Sequence, residues 1–333
     1  MAVNYLIVRG MFARPEARRG LMLTAIGVNV FNLFLFKYFY LFLQILFDLS
    51  GSSVFEADFF NQWLEATTGS NSIVLPLAIS FYTFQLIAYV VDVHRGQITE
   101  DNGPLKFFVF ILFFPQLVAG PIMRHSDFFH QLNDVQPRED YIRKGLYLLM
   151  LGLIKKVVIA DNTIGPVQAV FTAPGEYDGL SNFVAALGFC ARVYCDFSGY
   201  TDVARGLGFL LGLRLPENFR APYLADSCRD LWQRWHATLA TWLRDYIYIP
   251  LGGSRQGPVQ TYVNLIVTFT LGGLWHGANY TYIVWGFLHG MALTGERLLI
   301  MARDRVFGAP VESPEPAGIV RRGLNFSKRV LAI

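Results

Sequence analysis

Apolar segments long enough to cross a lipid bilayer recur along this chain and restrict the folds open to it. The first covers residues 21–47, behind a short basic stretch. It is too long for a signal-peptide core and lacks a small-residue cleavage site, so it predicts a transmembrane helix with a cytoplasmic N-terminal flank. Lys37, the one charge in this run, is expected to reach an interface or to mark a helix end.

The later apolar segments carry interruptions that indicate broken or re-entrant elements. Pro115 and the pair Gly120-Pro121 interrupt residues 105–123, which predicts a break or a re-entrant turn. Residues 263–301 are too long for one helix and are expected to break at Gly272-Gly273. Further spans are predicted within residues 73–91, 141–171 and 180–213. The polar connection at 48–71 is predicted outside the cell, and that at 125–143 in the cytoplasm.

The composition agrees with a membrane protein. Hydrophobic residues make up 53% of the chain and charged residues 16%, whereas a soluble domain carries about 25% charge. We therefore predict an all-α, polytopic membrane protein. The net charge of +3 and the lack of a basic run with interleaved aromatic residues argue against a nucleic-acid partner. No cysteine or histidine spacing resembles a metal-ligand set, so no metal site is predicted.

Two histidines lie inside one of these apolar segments, at residues 271–290. An ionisable side chain in a membrane segment costs free energy, so His276 is a candidate general base. A histidine that bonds a carbonyl between packed helices is the equally open alternative. His289 lies 13 residues later, about 20 Å along an unbroken helix, and is predicted to serve packing.

Charged residues also interrupt the segment at 180–213. Arg192 and Asp196 are four residues apart and share a helix face, and Asp202 and Arg205 follow. Such groups are expected to face the bundle interior or an aqueous cavity. They are interpreted as an ion-pair lattice or as substrate contacts.

Residues 221–253 predict an amphipathic helix that lies at the membrane interface or enters the bundle from it. Trp235, Leu239, Trp242 and Tyr246 recur at three- and four-residue steps and form an aromatic stripe. His236 lies on this helix and could approach His276 or serve the interface.

Six sequence pieces stand in the order of a known family: FKYFYLF at 36–42, FPQLVAGPIMR at 114–124, CDFSGYTDVARGLGFLLG at 195–212, LPENFRAPYLADS at 215–227, LWQRWHATLATWLRDYIYIPLGGSR at 231–255 and LWHGANYTYIVWGFLHG at 274–290. With these pieces the chain resembles the membrane-bound O-acyltransferase family, in the branch that contains bacterial alginate O-acetylases and the D-alanyl transfer protein of teichoic acid synthesis. The similarity covers most of residues 30–300 and is most specific in the last two pieces.

The resemblance implies a fold, a reaction and a site. The fold would be a ring of transmembrane and re-entrant helices around a funnel that reaches His276 from both membrane faces. The reaction would move an acyl group from a thioester, such as acetyl-CoA, to a hydroxyl, with no bound cofactor. His276 would be the catalytic histidine and His236 its partner. The candidate substrate contacts are Trp275, Asn279, Arg234 and Asp196.

The same resemblance implies a bacterial inner-membrane, multi-pass protein that works with periplasmic partners to acetylate an exported polysaccharide such as alginate. Residues 1–302 are interpreted as the membrane domain and 303–333 as a basic, proline-containing tail. Relatives usually have further helices before residues 3–5 and after 296–299, so the chain is expected to be a fragment or a shortened member. D-alanyl transfer, a non-catalytic assembly role, and transport along Arg192, Asp196, Asp202 and Arg205 are the alternatives.

Overall fold

The computed structural model describes residues 1–307 except 69, 71, 134 and 137. The regular secondary structure of these residues is helical throughout, without a strand, which confirms the predicted all-α class. The helices are α1 (Ala2–Ala13), α2 (Arg18–Leu33), α3 (Phe39–Ser50), α4 (Ala57–Thr68), α5 (Ile79–His94), α6 (Gly103–Ile111), α7 (Phe114–Leu117), α8 (His125–Phe128), α9 (Glu139–Leu153), α10 (Asp161–Thr172), α11 (Gly179–Leu210), α12 (Cys228–Arg234), α13 (Ala237–Leu243), α14 (Pro258–His276) and α15 (Tyr280–Phe307).

Three π-helical segments lie among the described residues, at Phe34–Tyr38, Ile154–Ala160 and Arg244–Tyr248. Such segments are rare and occur mostly at functional sites. Each carries a charged side chain that contacts another element: Lys37 contacts α14, Lys155 contacts α11, and Asp245 pairs with Arg124 before α8.

The first predicted span falls inside a continuous helix. The segment Pro15–Ser50 includes α2, the first π-segment and α3, and within the described part of the chain it is the one helix long and apolar enough to cross a membrane by length and composition. Lys37 lies in the middle of this helix and is directed towards α14. The expectation that Lys37 marks a helix end is therefore wrong, and the expectation that it reaches an interface stays a prediction.

The interruption predicted in residues 105–123 is confirmed. Helix α6 ends at Ile111, and the single turn α7 follows with Pro115 at its start. Proline lacks the N–H that a helix interior needs, so it is tolerated in a first turn. The preceding segment is also shorter than predicted, since α5 begins at Ile79 after Ala78 adopts a left-handed conformation (φ 60°).

Helix α11 packs closely along α9 and the π-segment that follows α9. A Cβ atom on Gly199 would lie 2.8 Å from the Gly152 carbonyl oxygen, and one on Gly206 would lie 2.8 Å from that of Gly145. These glycines therefore allow the two backbones to touch, as small residues do at membrane helix interfaces. The predicted helical segment at 180–213 is confirmed by α11.

The predicted break at Gly272-Gly273 is wrong. Helix α14 continues through both glycines and ends at His276, and Gly277 leaves it in an extended conformation. The glycines serve packing instead, because a Cβ atom on Gly273 would lie 2.9 Å from Gly286 Cα in α15. Helices α14 and α15 thus form a closely packed hairpin whose turn follows directly after His276.

The predicted amphipathic helix at 221–253 is also not continuous. Helix α12 ends at Arg234, and α13 begins at Ala237. Between them His236 adopts a left-handed conformation (φ 44°), which is uncommon for a residue other than glycine, asparagine or aspartate. The aromatic stripe is therefore interrupted at His236, the predicted partner of His276.

The predicted tail at 303–333 falls largely outside the described residues. Helix α15 extends through residues 303–307, and residues 308–333 are not described.

Candidate active site

His276 is the last residue of α14, and its side chain is accessible. Aromatic rings surround it: the ring centroids of Trp275 and Trp285 lie 5.0 Å and 5.2 Å from that of His276, and Tyr282 stacks at 6.5 Å. The helix end and these rings place the imidazole at the edge of an apolar wall. An accessible imidazole in such a setting can reach a reacting hydroxyl, as a general base must.

His236 lies beside His276 but is almost fully buried, with 1% of its surface exposed. The two ring centroids are 6.5 Å apart, and Trp275 contacts both rings. Phe197 of α11 closes the other side of His236 at 4.7 Å. The two candidate catalytic residues are therefore brought together by the break between α12 and α13 and by the end of α14.

Asn218 holds His236 in place. Its side-chain oxygen lies 3.0 Å from His236 Nδ1 and accepts hydrogen bonds from the Thr238 backbone N–H and hydroxyl. Because the Thr238 N–H can only donate, the Asn218 atom is an oxygen, and Nδ1 must carry the proton that it shares with that oxygen. In the neutral imidazole Nε2 then carries the lone pair, and within the described residues Nε2 has no partner.

Backbone hydrogen bonds from the same segment stabilise the break. The Ala237 N–H donates to the Asn218 carbonyl, and the Arg220 N–H donates to the Arg234 carbonyl, both at 3.0 Å. The segment around Asn218 therefore lies across the gap and satisfies the backbone groups that the break exposes. Sequence reasoning did not assign a role to Asn218; its place in the LPENFRAPYLADS piece was the available signal.

The four candidate substrate contacts occupy different surroundings. Trp275 is buried, and its indole N–H donates to the Ser80 carbonyl at 3.4 Å. Asn279 lies in the turn after His276, where its side-chain oxygen accepts bonds from Thr281 and begins α15. Trp275 and Asn279 thus flank His276, and their proposed contacts with substrate stay predictions.

The other two candidates are held in ion pairs. Arg234 pairs with Asp230 one turn earlier at 2.7 Å. Asp196 pairs with Lys156 of the second π-segment at 2.6 Å. Neither residue has a recorded contact with a histidine of the candidate site, and their assignment to substrate binding stays a prediction.

A lattice of charges leads from α11 to the Asn218 segment. Lys155 pairs with Asp202 at 2.6 Å, and Arg205 lies 3.9 Å from Asp202 and 3.7 Å from Glu217. Glu217 also pairs with Arg220 at 3.1 Å. The ion-pair interpretation of Asp202 and Arg205 is confirmed. Glu217 and Arg220 flank Asn218, so the lattice supports the segment that orients His236.

His289 lies near His276 because the helix breaks between them. The rings of His276 and His289 both contact Trp285, at 5.2 Å and 4.6 Å. The ring of Trp232 in α12 contacts His289 at 5.1 Å and Trp285 at 5.9 Å. His289 thus belongs to the aromatic wall behind the site, which agrees with its predicted packing role.

A cavity of about 1090 Å³ lies between α12–α13 and α14–α15. Neither histidine lines this cavity, whose wall includes Trp232 of α12, Thr238 of α13 and Phe269 of α14. Five arginines and three carboxylates also line it: Arg124, Arg220, Arg229, Arg244, Arg297, Asp127, Glu217 and Glu296.

His276 does not line this cavity and lies further along α14. Phe269 lines the cavity and lies seven residues before His276, about 10 Å at 1.5 Å per residue. On the far side, the Tyr280 hydroxyl donates to Asp48 near the end of α3. The histidine pair and its tryptophans therefore form a layer between the arginine-lined cavity and an accessible surface beside Asn279.

Comparison with known proteins agrees with the helical fold and the paired histidines described above. The profile of the membrane-bound O-acyltransferase family matches residues 98–309, which include both histidines and Asn218. The chain belongs to the membrane-bound O-acyltransferase family. The family predicted from the sequence motifs is thereby confirmed.

The relatives include two kinds of O-acetylating protein. The chain is 46% identical over 235 residues to the probable alginate O-acetylase AlgI of Pseudomonas aeruginosa, covering 70% of this chain and 45% of that protein. It is 41% identical over 252 residues to the peptidoglycan O-acetyltransferase of Helicobacter pylori, covering 68% and 48%. The teichoic acid D-alanyltransferase of Bacillus subtilis is 28% identical over 230 residues, covering 66% and 58%. The chain spans less than half the length of the two O-acetylating relatives.

Proposed function

We propose that this chain carries the catalytic centre of an O-acyltransferase that moves an acetyl group from a thioester to a hydroxyl. The observation that carries the proposal is the pairing of accessible His276 with buried His236, whose ring centroids lie 6.5 Å apart. The higher identity to O-acetylating relatives than to the D-alanyltransferase favours acetyl over D-alanyl as the transferred group.

In the proposed reaction His276 acts as the general base. Its imidazole takes the proton of the acceptor hydroxyl, and the hydroxyl oxygen attacks the thioester carbonyl carbon. The tetrahedral intermediate collapses as the carbon–sulfur bond breaks, and the leaving thiolate takes the proton from His276. The free Nε2 of neutral His236 is available to accept a hydrogen bond from an N–H or O–H group of a reactant, which it would orient at the centre; it does not supply an oxyanion donor in that form.

The proposed donor is acetyl-CoA or another acyl thioester that enters from the arginine-lined cavity. Arg229 and Arg297 line this cavity and make no ion pair with another described residue. Guanidinium groups bind phosphate oxygens in pairs of hydrogen bonds, which suits the phosphates of coenzyme A. The cavity also adjoins Ser126 and Asp127, in the connection predicted to be cytoplasmic, where coenzyme A is found.

The proposed acceptor side is the accessible surface beside His276 and Asn279. It lies next to Asp48, at the connection predicted outside the cell. Donor and acceptor would then approach the histidine layer from opposite membrane faces. An exported polysaccharide such as alginate, reached through periplasmic transfer partners, is the proposed final acceptor, because the names of the O-acetylating relatives refer to alginate and peptidoglycan.

The proposed setting is a multi-pass position in a bacterial inner membrane, with residues 1–302 as the membrane domain. Large apolar side chains are exposed on several long helices, which suits contact with lipid. They include Phe31 on α2, Met150 on α9, Phe183 on α11 and Leu299 on α15. A ring of transmembrane and re-entrant helices around the site is part of this proposal.

Acetyl transfer from radiolabelled acetyl-CoA, measured in membranes that carry the chain, tests the proposed function. We expect His276→Ala to lower the rate about a thousandfold, within the range for loss of a general base. His130→Ala is the matched control, because His130 is exposed and outside the layer. Transfer by His276→Ala at the unchanged rate, or no transfer by the inserted wild-type chain, would contradict the proposal.

A further inference from the structure

Lys37 is a half-buried charge that the proposed reaction leaves unexplained. It lies in the π-segment Phe34–Tyr38, within the long helix Pro15–Ser50, and its ammonium group donates to the carbonyl of Trp275. It also donates to the Ser80 hydroxyl at 2.8 Å, in the first turn of α5. A cation in an apolar helix costs free energy, so its retention there calls for a local function.

Tyr38, the next residue, makes a parallel contact. Its hydroxyl donates to the carbonyl of Leu274 at 3.0 Å. The π-segment therefore satisfies two successive carbonyls in the last turn of α14. The last four carbonyls of a helix lack intrahelical partners, and a cation near them also interacts favourably with the helix dipole.

The backbone of α14 does not close its own end in the usual way. Gly277 is extended (φ −164°) and does not adopt the left-handed conformation that gives a Schellman cap. Side chains from the first long helix thus replace the backbone cap. They do so at Leu274 and Trp275, the two residues directly before His276.

Trp275 is fixed from a second direction as well. Its indole N–H donates to the Ser80 carbonyl, while the Lys37 ammonium lies 5.8 Å from the centre of a Trp275 ring. Lys37, Ser80 and Trp275 therefore connect the π-segment, the start of α5 and the end of α14. Because His276 directly follows Trp275, these bonds also fix the position of the His276 backbone.

We propose that Lys37 is a positioning residue that, with Tyr38, clamps the last turn of α14 and holds His276 in place for acyl transfer. This inference rests on the proposed function for its catalytic consequence, whereas the clamp itself is a structural claim. A displacement of about 1 Å at a reacting group can lower a rate about a hundredfold, so a clamp at this point matters to the reaction.

The test compares Lys37→Met, Lys37→Arg and Tyr38→Phe in the full chain. We expect Lys37→Met to lower kcat for acetyl transfer about thirtyfold with KM for acetyl-CoA unchanged, because binding in the cavity does not involve Lys37. Lys37→Arg keeps a charged donor for the carbonyl and should restore most of kcat. Tyr38→Phe removes one neutral hydrogen bond and should cost about threefold. Lys144→Met, which alters an exposed surface pair, is the control.

Hydrogen–deuterium exchange supplies a measurement that does not depend on activity. Lys37→Met should speed amide exchange in residues 273–277 several-fold and leave α9 and α11 unchanged, and Lys144→Met should not alter residues 273–277. Wild-type exchange in 273–277 for Lys37→Met would overturn the clamp even if the chain transfers no acetyl group. Faster exchange in residues 273–277 of Lys37→Met, together with an unchanged kcat, would overturn the role of Lys37 in positioning His276. An inactive wild-type chain with the expected exchange would contradict the proposed function and leave the clamp standing.

Discussion

The two histidines of the site are held by opposite means. His276 stands at the accessible end of a regular helix, whose last carbonyls are bonded by Lys37 and Tyr38 and whose flank packs on α15 through glycines. His236 lies in a left-handed kink between two short helices and is buried, with its ring held by Asn218. The arrangement at His276 leaves its imidazole accessible to a reactant, whereas the arrangement at His236 fixes the tautomer of its ring.

This difference indicates that His276 and His236 have different roles in the reaction. A base that exchanges protons with a substrate must be reached by that substrate, which suits His276. A residue that only orients a reactant can be buried, and the cost of an unusual backbone conformation, of order 1–3 kcal/mol, is tolerated where the surroundings impose it. Ala237, Thr238 and Arg220 supply those surroundings for His236 through their bonds to the Asn218 segment and across the kink.

On the His276 side, Gly273→Ala is expected to disturb the packing of the α14–α15 hairpin. Gly273→Ala places a Cβ atom 2.9 Å from Gly286 Cα, so α14 and α15 must separate. We expect a destabilisation of about 2 kcal/mol, roughly thirtyfold in the ratio of folded to unfolded protein, measured by thermal unfolding in detergent. Gly295→Ala, whose Cβ atom would meet open space, is the control. Equal stability of the two variants would contradict the role given to the glycine contact.

A smaller effect, on rate, is expected on the His236 side. Asn218→Ala removes the acceptor that fixes the His236 proton on Nδ1, so the ring can rotate and change tautomer. We expect kcat for acetyl transfer to fall about tenfold, since a misplacement of about 1 Å in a group that orients a reactant can lower a rate about a hundredfold. Asn133→Ala, at an exposed loop residue, should leave kcat unchanged.

Thr238→Val tests the support of His236 by Asn218 with a smaller expected effect on kcat. Valine keeps the shape and the backbone N–H but removes the hydroxyl, which donates to the Asn218 oxygen at 2.9 Å and accepts from the Ile122 N–H at 3.0 Å. A decrease of about threefold in kcat is expected, because of the two lost hydrogen bonds only the one to the Asn218 oxygen bears on His236. A Thr238→Val effect larger than that of Asn218→Ala would show that Asn218 is not the group that orients His236.

Sequence reasoning identified the helical class, the family and the interruption near Pro115, because each rests on local signals in the chain. It missed the kink at His236, since Trp235, Leu239, Trp242 and Tyr246 have the spacing of an unbroken helix. The kink depends on Asn218, which is 18 residues earlier in the chain, and such a contact has no local signature.

The errors at Lys37 and at Gly272-Gly273 have the same origin. Lys37 was expected to mark a helix end or to reach an interface, since the partner that holds it inside a continuous helix, the Trp275 carbonyl, is 238 residues away and leaves no local signal. The glycine pair was expected to break a helix because glycine is flexible, but its neighbours in α13 and α15 make it a packing surface. The placement of His276 and His236 in one layer could be anticipated from the family resemblance alone.

A double-mutant cycle between His236 and His276 tests the central claim, that the two residues act as one catalytic unit, most directly. Acetyl-transfer rates would be measured for wild type, His236→Ala, His276→Ala and the double variant at equal amounts of inserted protein. Residues that act as a unit are strongly non-additive, so the double variant should be no slower than His276→Ala alone. A double-variant rate equal to the product of the two separate losses would show that the histidines act independently and would contradict this account.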